Sequence, residues 1–293
     1  MHTSQSLTEQ HYLIGGLAVN IVGGASLQRI ALLPEMRPFI IGDIGDRPCL
    51  TMHLDVALPP ATCPWLTHFD IADGSSMCRF GRDADGCYHY VIDDTVHLHY
   101  DPRHPDELSC TAVSNLTLLY YVIWLAYSLM ALRHGRMPIH SSAVVCKGQA
   151  VMCLGESGTG KSTHTRLWLD HIPGTHLLND DSPILAINDE EILLYGSPWS
   201  GKTPCYRQEC VPVAAMVRIE QKPCNSIQRL HVIEAFTALQ PSCPPSLATD
   251  EQLMDLIVAN ISRVLRHTPI YRLGCRPDAE AARLCYENTM GDF

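Results

Sequence analysis

The chain has 293 residues, 46% of them hydrophobic and 18% charged, which is ordinary for a globular protein and by length suggests two domains. A net charge of −10 at pH 7 argues against nucleic-acid binding, which needs a broadly basic face. Thirteen cysteines without any Cys-x-x-Cys spacing, behind an opening Met1-His2-Thr3-Ser4 that lacks signal-peptide character, point to reduced thiols packed mostly as small apolar groups in a cytoplasmic protein.

Residues 1–110 read as a β-rich N-terminal domain. Strands are expected within 11–22, 38–41 and 50–56. A hairpin is expected from 78–82 and 87–92 around the turn Asp83-Ala84-Asp85-Gly86, continued by a strand over 95–100. His97 and His99 lie two apart and so share a strand face, with His53, His68 and His89 close in sequence. None of these spacings is a metal-ligand signature, and we read them as surface histidines.

Residues 113–132 form the most apolar stretch and carry no charge, a length that would cross a bilayer. Polar Ser114, Asn115, Thr117 and Ser128 lie within it and Arg133, His134 and Arg136 follow at once. We therefore expect a buried helix packed on a sheet rather than a membrane span, and we group residues 111–137 with the domain that follows.

From residue 138 onward strands and helices alternate, indicating an α/β nucleotide-binding core over 138–293. A strand over 139–145 carries His140 near its start, and a second, 149–154, runs into Gly155-Glu156-Ser157-Gly158-Thr159-Gly160-Lys161-Ser162-Thr163. This is the phosphate-loop pattern Gly-x4-Gly-Lys-Ser/Thr in its required strand–loop–helix setting. The glycines let successive N–H groups turn inward on a phosphate, and the helix start adds its own free N–H groups and positive dipole end. Lys161 has the reach for the β- and γ-phosphates, and the Ser162 hydroxyl suits Mg²⁺. Gly155 to Thr163 is thus the expected binding segment for a nucleoside triphosphate.

A strand over 176–179 then ends in Asp180-Asp181, with Asp181 twenty positions after Lys161, the length of one helix and a return strand. Paired carboxylates at that edge fit two tasks, holding a metal ion and accepting a proton from an attacking hydroxyl. A further strand over 191–195 leads to the loop 196–202, whose Lys202 is a candidate for offsetting transition-state charge. Strands over 211–219 and 270–273, a helix running from Asp250 to His267 and a last helix over 277–288 complete the pattern.

His140, Gly-Glu-Ser-Gly-Thr-Gly-Lys-Ser and Asn-Asp-Asp together resemble the kinase domain of HPr kinase/phosphorylase and its kinase relatives, over roughly residues 138–280. The loop also resembles that of ATP-type phosphoenolpyruvate carboxykinase, which shares the core. The resemblance implies an α/β P-loop kinase domain with a smaller β-rich domain before it, dependent on ATP and Mg²⁺. It implies His140 close to the γ-phosphate, Lys161 on the β- and γ-phosphates, Ser162 on Mg²⁺, Asp181 as general base and Asp180 as metal or water ligand, without fixing which aspartate does which. The acceptor it implies is a hydroxyl, on a protein, a peptide or a small molecule. The chain departs from the family where a glutamate metal ligand is expected: Leu193 stands there, with Glu191 two residues earlier. The family's arginine loop has no clear counterpart, Arg207 and Arg218 being no more than candidates, and phosphorylase activity is not carried over. A nucleotide-responsive binding module without phosphoryl transfer is the alternative, and the oligomeric state stays open.

Overall fold

The computed structural model describes residues 8–71 and 74–291, and the chain divides into two compact units, 1–134 and 135–293. Both mix helices with sheet.

The first unit is built on a nine-stranded sheet. Its strands are β1 (Glu9–Ile14), β2 (Leu17–Val22), β3 (Ile40–Ile41), β4 (Cys49–His53), β5 (Trp65–Ile71), β6 (Ser76–Arg82), β7 (Tyr88–Ile92), β8 (Val96–Tyr100) and β9 (Glu107–Cys110), in the spatial order β3-β1-β2-β4-β9-β8-β7-β6-β5. In this series β4 runs parallel to both its neighbours, β2 and β9, and the other neighbouring pairs are antiparallel. Gly15 and Gly16, both at positive φ, make the two-residue turn between β1 and β2, where a side chain would be strained. The expected hairpin is present, with Asp83 Oδ1 accepting from the N–H groups of Asp85 and Cys87 to close its turn.

Two helices belong to this unit, α1 (Ala25–Ile30) and α2 (Leu116–Ala131). Asn115 caps α2 by accepting from Leu118 N–H, and Ser128 satisfies its hydroxyl on Trp124 O within the helix. The helix packs on β4, β9 and α1, and Tyr127 Oη donates to Ile14 O at 3.1 Å. The domain boundary expected at residue 110 is corrected by these contacts: the apolar segment completes the first unit's core rather than opening the second. Extended through His134, it is long and apolar enough to cross a membrane, and two thirds of it is buried inside the protein.

The reading of surface histidines holds for His68, which is exposed, and is corrected for two others. His89 and His97 are buried. His89 Nδ1 lies 2.9 Å from His97 Nε2, and His89 Nε2 lies 3.0 Å from Asp83 Oδ2, so each ring nitrogen of His89 is partnered. Burial, then the neighbouring His89 and His99 rings, push His97 down to about 4. Among the described residues no group of three or more His, Cys, Asp or Glu side chains is arranged to hold a metal.

The second unit also holds nine strands: β10 (Arg136–Pro138), β11 (Ser141–Cys146), β12 (Gln149–Leu154), β13 (His176–Asn179), β14 (Ile184–Ile187), β15 (Ile192–Tyr195), β16 (Cys210–Gln221), β17 (Ser226–Arg229) and β18 (Ile270–Cys275). The order is β10-β14-β15-β16-β12-β11-β13, with β18 beside β16 and β17 beside β18. The strand β16 is parallel to β12 and β18, and the remaining pairs are antiparallel. Its helices are α3 (Lys161–His171), α4 (Val232–Leu239), α5 (Glu251–His267) and α6 (Ala279–Thr289).

One core lies between the sheet and α3 with α6. Val144, Val151, Cys153, Ala215, Val217, Ile219 and Leu273 meet Trp168, Ala281, Ala282 and Cys285 there. Pleating sends the alternate residues of β16, Met216 and Arg218, to the other face, where α4 packs on β18 and α5 on β14. Asp250 caps α5, accepting from Gln252 N–H and Leu253 N–H, as its place before an amphipathic run leads one to expect. Nine of the thirteen cysteines are buried and all are free thiols.

Candidate functional site

The phosphate-loop segment occupies the turn between β12 and α3. Gly155, Gly158 and Gly160 have φ of +148°, +83° and +103°, conformations that other residues rarely adopt. A Cβ at Gly155 would meet Thr159 Oγ1 at 2.5 Å, so this position excludes even alanine without a shift of the loop. Thr159 closes the turn, its N–H and Oγ1 both donating to Glu156 O. From the neighbouring β16, Gln221 Nε2 donates to Gly158 O at 3.2 Å and steadies the loop from outside.

Lys161 is buried and its ammonium uses three partners. It donates to Gly155 O at 2.8 Å, to Glu156 O at 3.1 Å and to His140 Nε2 at 2.9 Å. Burial lowers its pKa, the charges of Asp181, Cys153 and Asp180 oppose that, and Arg218 adds to it.

His140 precedes β11 by one residue and is held by its backbone, whose N–H donates to Ser242 O. Its Nε2 lies 2.9 Å from Lys161 Nζ and its Nδ1 3.0 Å from Asp181 Oδ1, so a proton on Nδ1 serves both contacts. The three side chains Lys161, His140 and Asp181 thus form one chain of contacts. His140 and Asp181 lie beside the loop because β11 stands between β12 and β13.

Asp180 is placed differently. Its carboxylate is buried, and Ser142 Oγ donates to its Oδ1 at 2.8 Å while standing 3.0 Å from Thr165 Oγ1. Thr165 also donates to Ser162 O, so this network ties Asp180 to the first turn of α3. Asp180 Oδ2 is buried without a hydrogen-bond partner. A buried carboxylate oxygen is normally paired, and an unpaired one calls for a cation or a water. Asp180 and the exposed Ser162 offer the oxygen donors that Mg²⁺ prefers, so these residues fit the ion that the motif implies.

Asn179, which the motif Asn-Asp-Asp includes without assigning it a role, organises this turn. Fully buried, it accepts from Asp181 N–H and Ser182 N–H through Oδ1 and donates through Nδ2 to Ser197 Oγ and Trp199 O. The aspartates are thereby pinned to the loop 196–202. Gly201 approaches so closely that a Cβ there would lie 3.0 Å from Asp180 O. Lys202, next in the chain, is exposed. Glu191 is exposed ahead of β15 and its charge acts on Tyr195 and Cys210.

A cavity of about 500 Å³ opens beside the loop on the α3 side of the sheet, lined by Thr159, Thr163, Leu167, Ile219, Arg276 and Pro277 among others. The chain matches no known family model and no curated protein.

Proposed function

We propose that the protein is an ATP- and Mg²⁺-dependent kinase of the HPr kinase-like type, with a P-loop kinase core, transferring the γ-phosphate to an aliphatic hydroxyl in the cytoplasm. The observation that carries this is the Lys161–His140–Asp181 chain at a phosphate loop: it joins a phosphate-binding cation to a carboxylate suited to deprotonating an acceptor. A binding loop alone has no use for that second group.

Lys161, Gly155 to Thr163 and the helix start hold the phosphates, and the 500 Å³ cavity has room for the nucleoside. Asp181, oriented by His140 and with its side chain 40% exposed, accepts the proton of the acceptor hydroxyl. Asp180 and Ser162 are the residues that would hold Mg²⁺, which when bound shields charge on the phosphate oxygens. Lys202, exposed beside Gly201 on the loop 196–202, is our candidate for offsetting transition-state charge. The acceptor is a seryl side chain or a small-molecule alcohol.

The deciding experiment measures ADP formation with and without candidate hydroxyl acceptors, in the wild type and in Asp181→Asn. Equal acceptor-dependent turnover in both sinks the assignment of the base. The second reading, a nucleotide-responsive module, draws on Leu193 standing where the resembling kinases carry a metal-binding glutamate. ATP that survives prolonged incubation with every acceptor, while still binding, favours that reading.

A further inference from the structure

Arg218 is a cation that the loop motif does not account for. It sits on β16 in direct register with Leu154, the last residue of β12 before the loop. The pleat of β16 divides its neighbours between two faces: Ile219 and Gln221 line the cavity on the α3 side, while Arg218 points to the α4 side. There Arg218 Nη1 donates to Ala238 O at 3.3 Å, and Nη2 stands 3.5 Å from Glu156 Oε1.

The same face carries the reactive groups. His140 N–H donates to Ser242 O, one short turn beyond Ala238, and His140 in turn contacts Lys161. A nucleotide with its base in the α3-side cavity and its phosphates on the loop must cross the end of β12 and β16. Its terminal phosphate then emerges on the side of Lys161, His140 and Arg218. The Arg218 guanidinium is 21% exposed, and its present anionic partner, Glu156, is 79% exposed. Such an ion pair is weak and readily exchanged.

We propose that Arg218 contacts the terminal phosphate of the bound nucleotide, and that Glu156 is the carboxylate it gives up on binding. This rests on the phosphate-loop reading above. As the acceptor hydroxyl oxygen bonds the terminal phosphorus, its proton passing to Asp181, and the bridging P–O bond breaks with its electron pair passing to the leaving nucleoside diphosphate, Arg218 stabilises the charge on the transferring phosphoryl from the side opposite the nucleoside. It adds to the preference for the triphosphate over the diphosphate that Lys161 provides through its reach to the γ-phosphate.

Titration calorimetry with Mg²⁺–ADP and with Mg²⁺ and the β,γ-imido analogue of ATP tests this on the full chain. For Arg218→Gln the analogue should bind about 10- to 100-fold more weakly, the contribution of a charge-assisted bond, while ADP stays within about twofold. Arg218→Lys should fall between, keeping the charge and losing the fork. Glu156→Gln should tighten the analogue about two- to fivefold by removing the competing carboxylate. Thermal melts of each variant report folding. Equal losses for both nucleotides, or no loss for either, overturn the contact with the terminal phosphate. Weaker analogue binding in Glu156→Gln overturns the exchange. A wild type that binds neither nucleotide removes the phosphate-loop reading itself, and this proposal with it.

Discussion

Lys161 and Asp181 are linked through a single imidazole, His140 Nε2 lying 2.9 Å from the ammonium and Nδ1 3.0 Å from the carboxylate. The ammonium is also bonded to two carbonyls of its own loop, so all three of its protons are engaged. Phosphate must compete with those contacts, and once Lys161 turns to phosphate the imidazole keeps only its carboxylate partner. Asp181→Asn removes the proton acceptor and leaves the loop intact. We expect kcat to fall about 10²- to 10⁴-fold with nucleotide affinity nearly unchanged, which steady-state kinetics paired with calorimetry will read. Loss of binding in step with kcat would place Asp181 in the nucleotide site instead.

Asp180→Asn tests the unpartnered Oδ2. Replacing a buried, unsatisfied carboxylate by an amide should raise the stability of the nucleotide-free protein by about 1 kcal/mol, a shift of about 2–4 °C in Tm. The same change should abolish the extra stabilisation that Mg²⁺ gives in the presence of ADP. Differential scanning fluorimetry with and without Mg²⁺ separates the two effects, and a lower Tm in the free protein would argue against an orphaned charge.

Asn179→Ala should be severe although the residue touches no substrate. It unties Ser197 and Trp199 from the Asp181–Ser182 turn and leaves several buried groups unpaired. A loss of about 2–4 kcal/mol is expected, measured by urea unfolding of the second unit.

Acid should weaken both units. Burial is the main cause holding His97 and His164 at about 4 in the folded chain, against about 6.5 when unfolded. Above about pH 6.5 both histidines are neutral in either state, and their contribution is fully present. As pH falls from about 6.5 toward 4 the unfolded chain takes up protons that the folded chain refuses, and stability is lost, roughly 1–3 kcal/mol for each histidine. Urea midpoints at pH 7 and pH 4.5 check the sign. His97→Gln should flatten the slope for the first unit.

Much of this site was legible because its elements are local in sequence. The glycine spacing requires its own loop geometry, and the carboxylate pair follows at the distance that one helix and one return strand impose. The hairpin around Asp83 is similarly written in its turn residues. Asn179 and Arg218 were not legible in this way, since their roles depend on contacts with the loop 196–202 and with α4. The helix α4 itself hides its pattern: Val232 and Ile233 are exposed, so the apolar residues do not mark the inward face. A uniformly apolar α2 likewise carries no directional stripe to say which unit it covers, and the period-two spacing of His97 and His99 sets a shared face without saying whether it is wet or dry.

The burial of α2 also fixes how the first unit fails. When that unit opens, nineteen residues able to cross a bilayer by length and composition are released together, from Leu116 to His134. Such a segment partitions into lipid or into another opened chain faster than the long-range pairs β1–β3, β2–β4 and β4–β9 can reassemble beneath it. Loss of this unit is therefore expected to be a one-way event, and the lifetime of the protein on heating should follow its opening rate rather than an equilibrium.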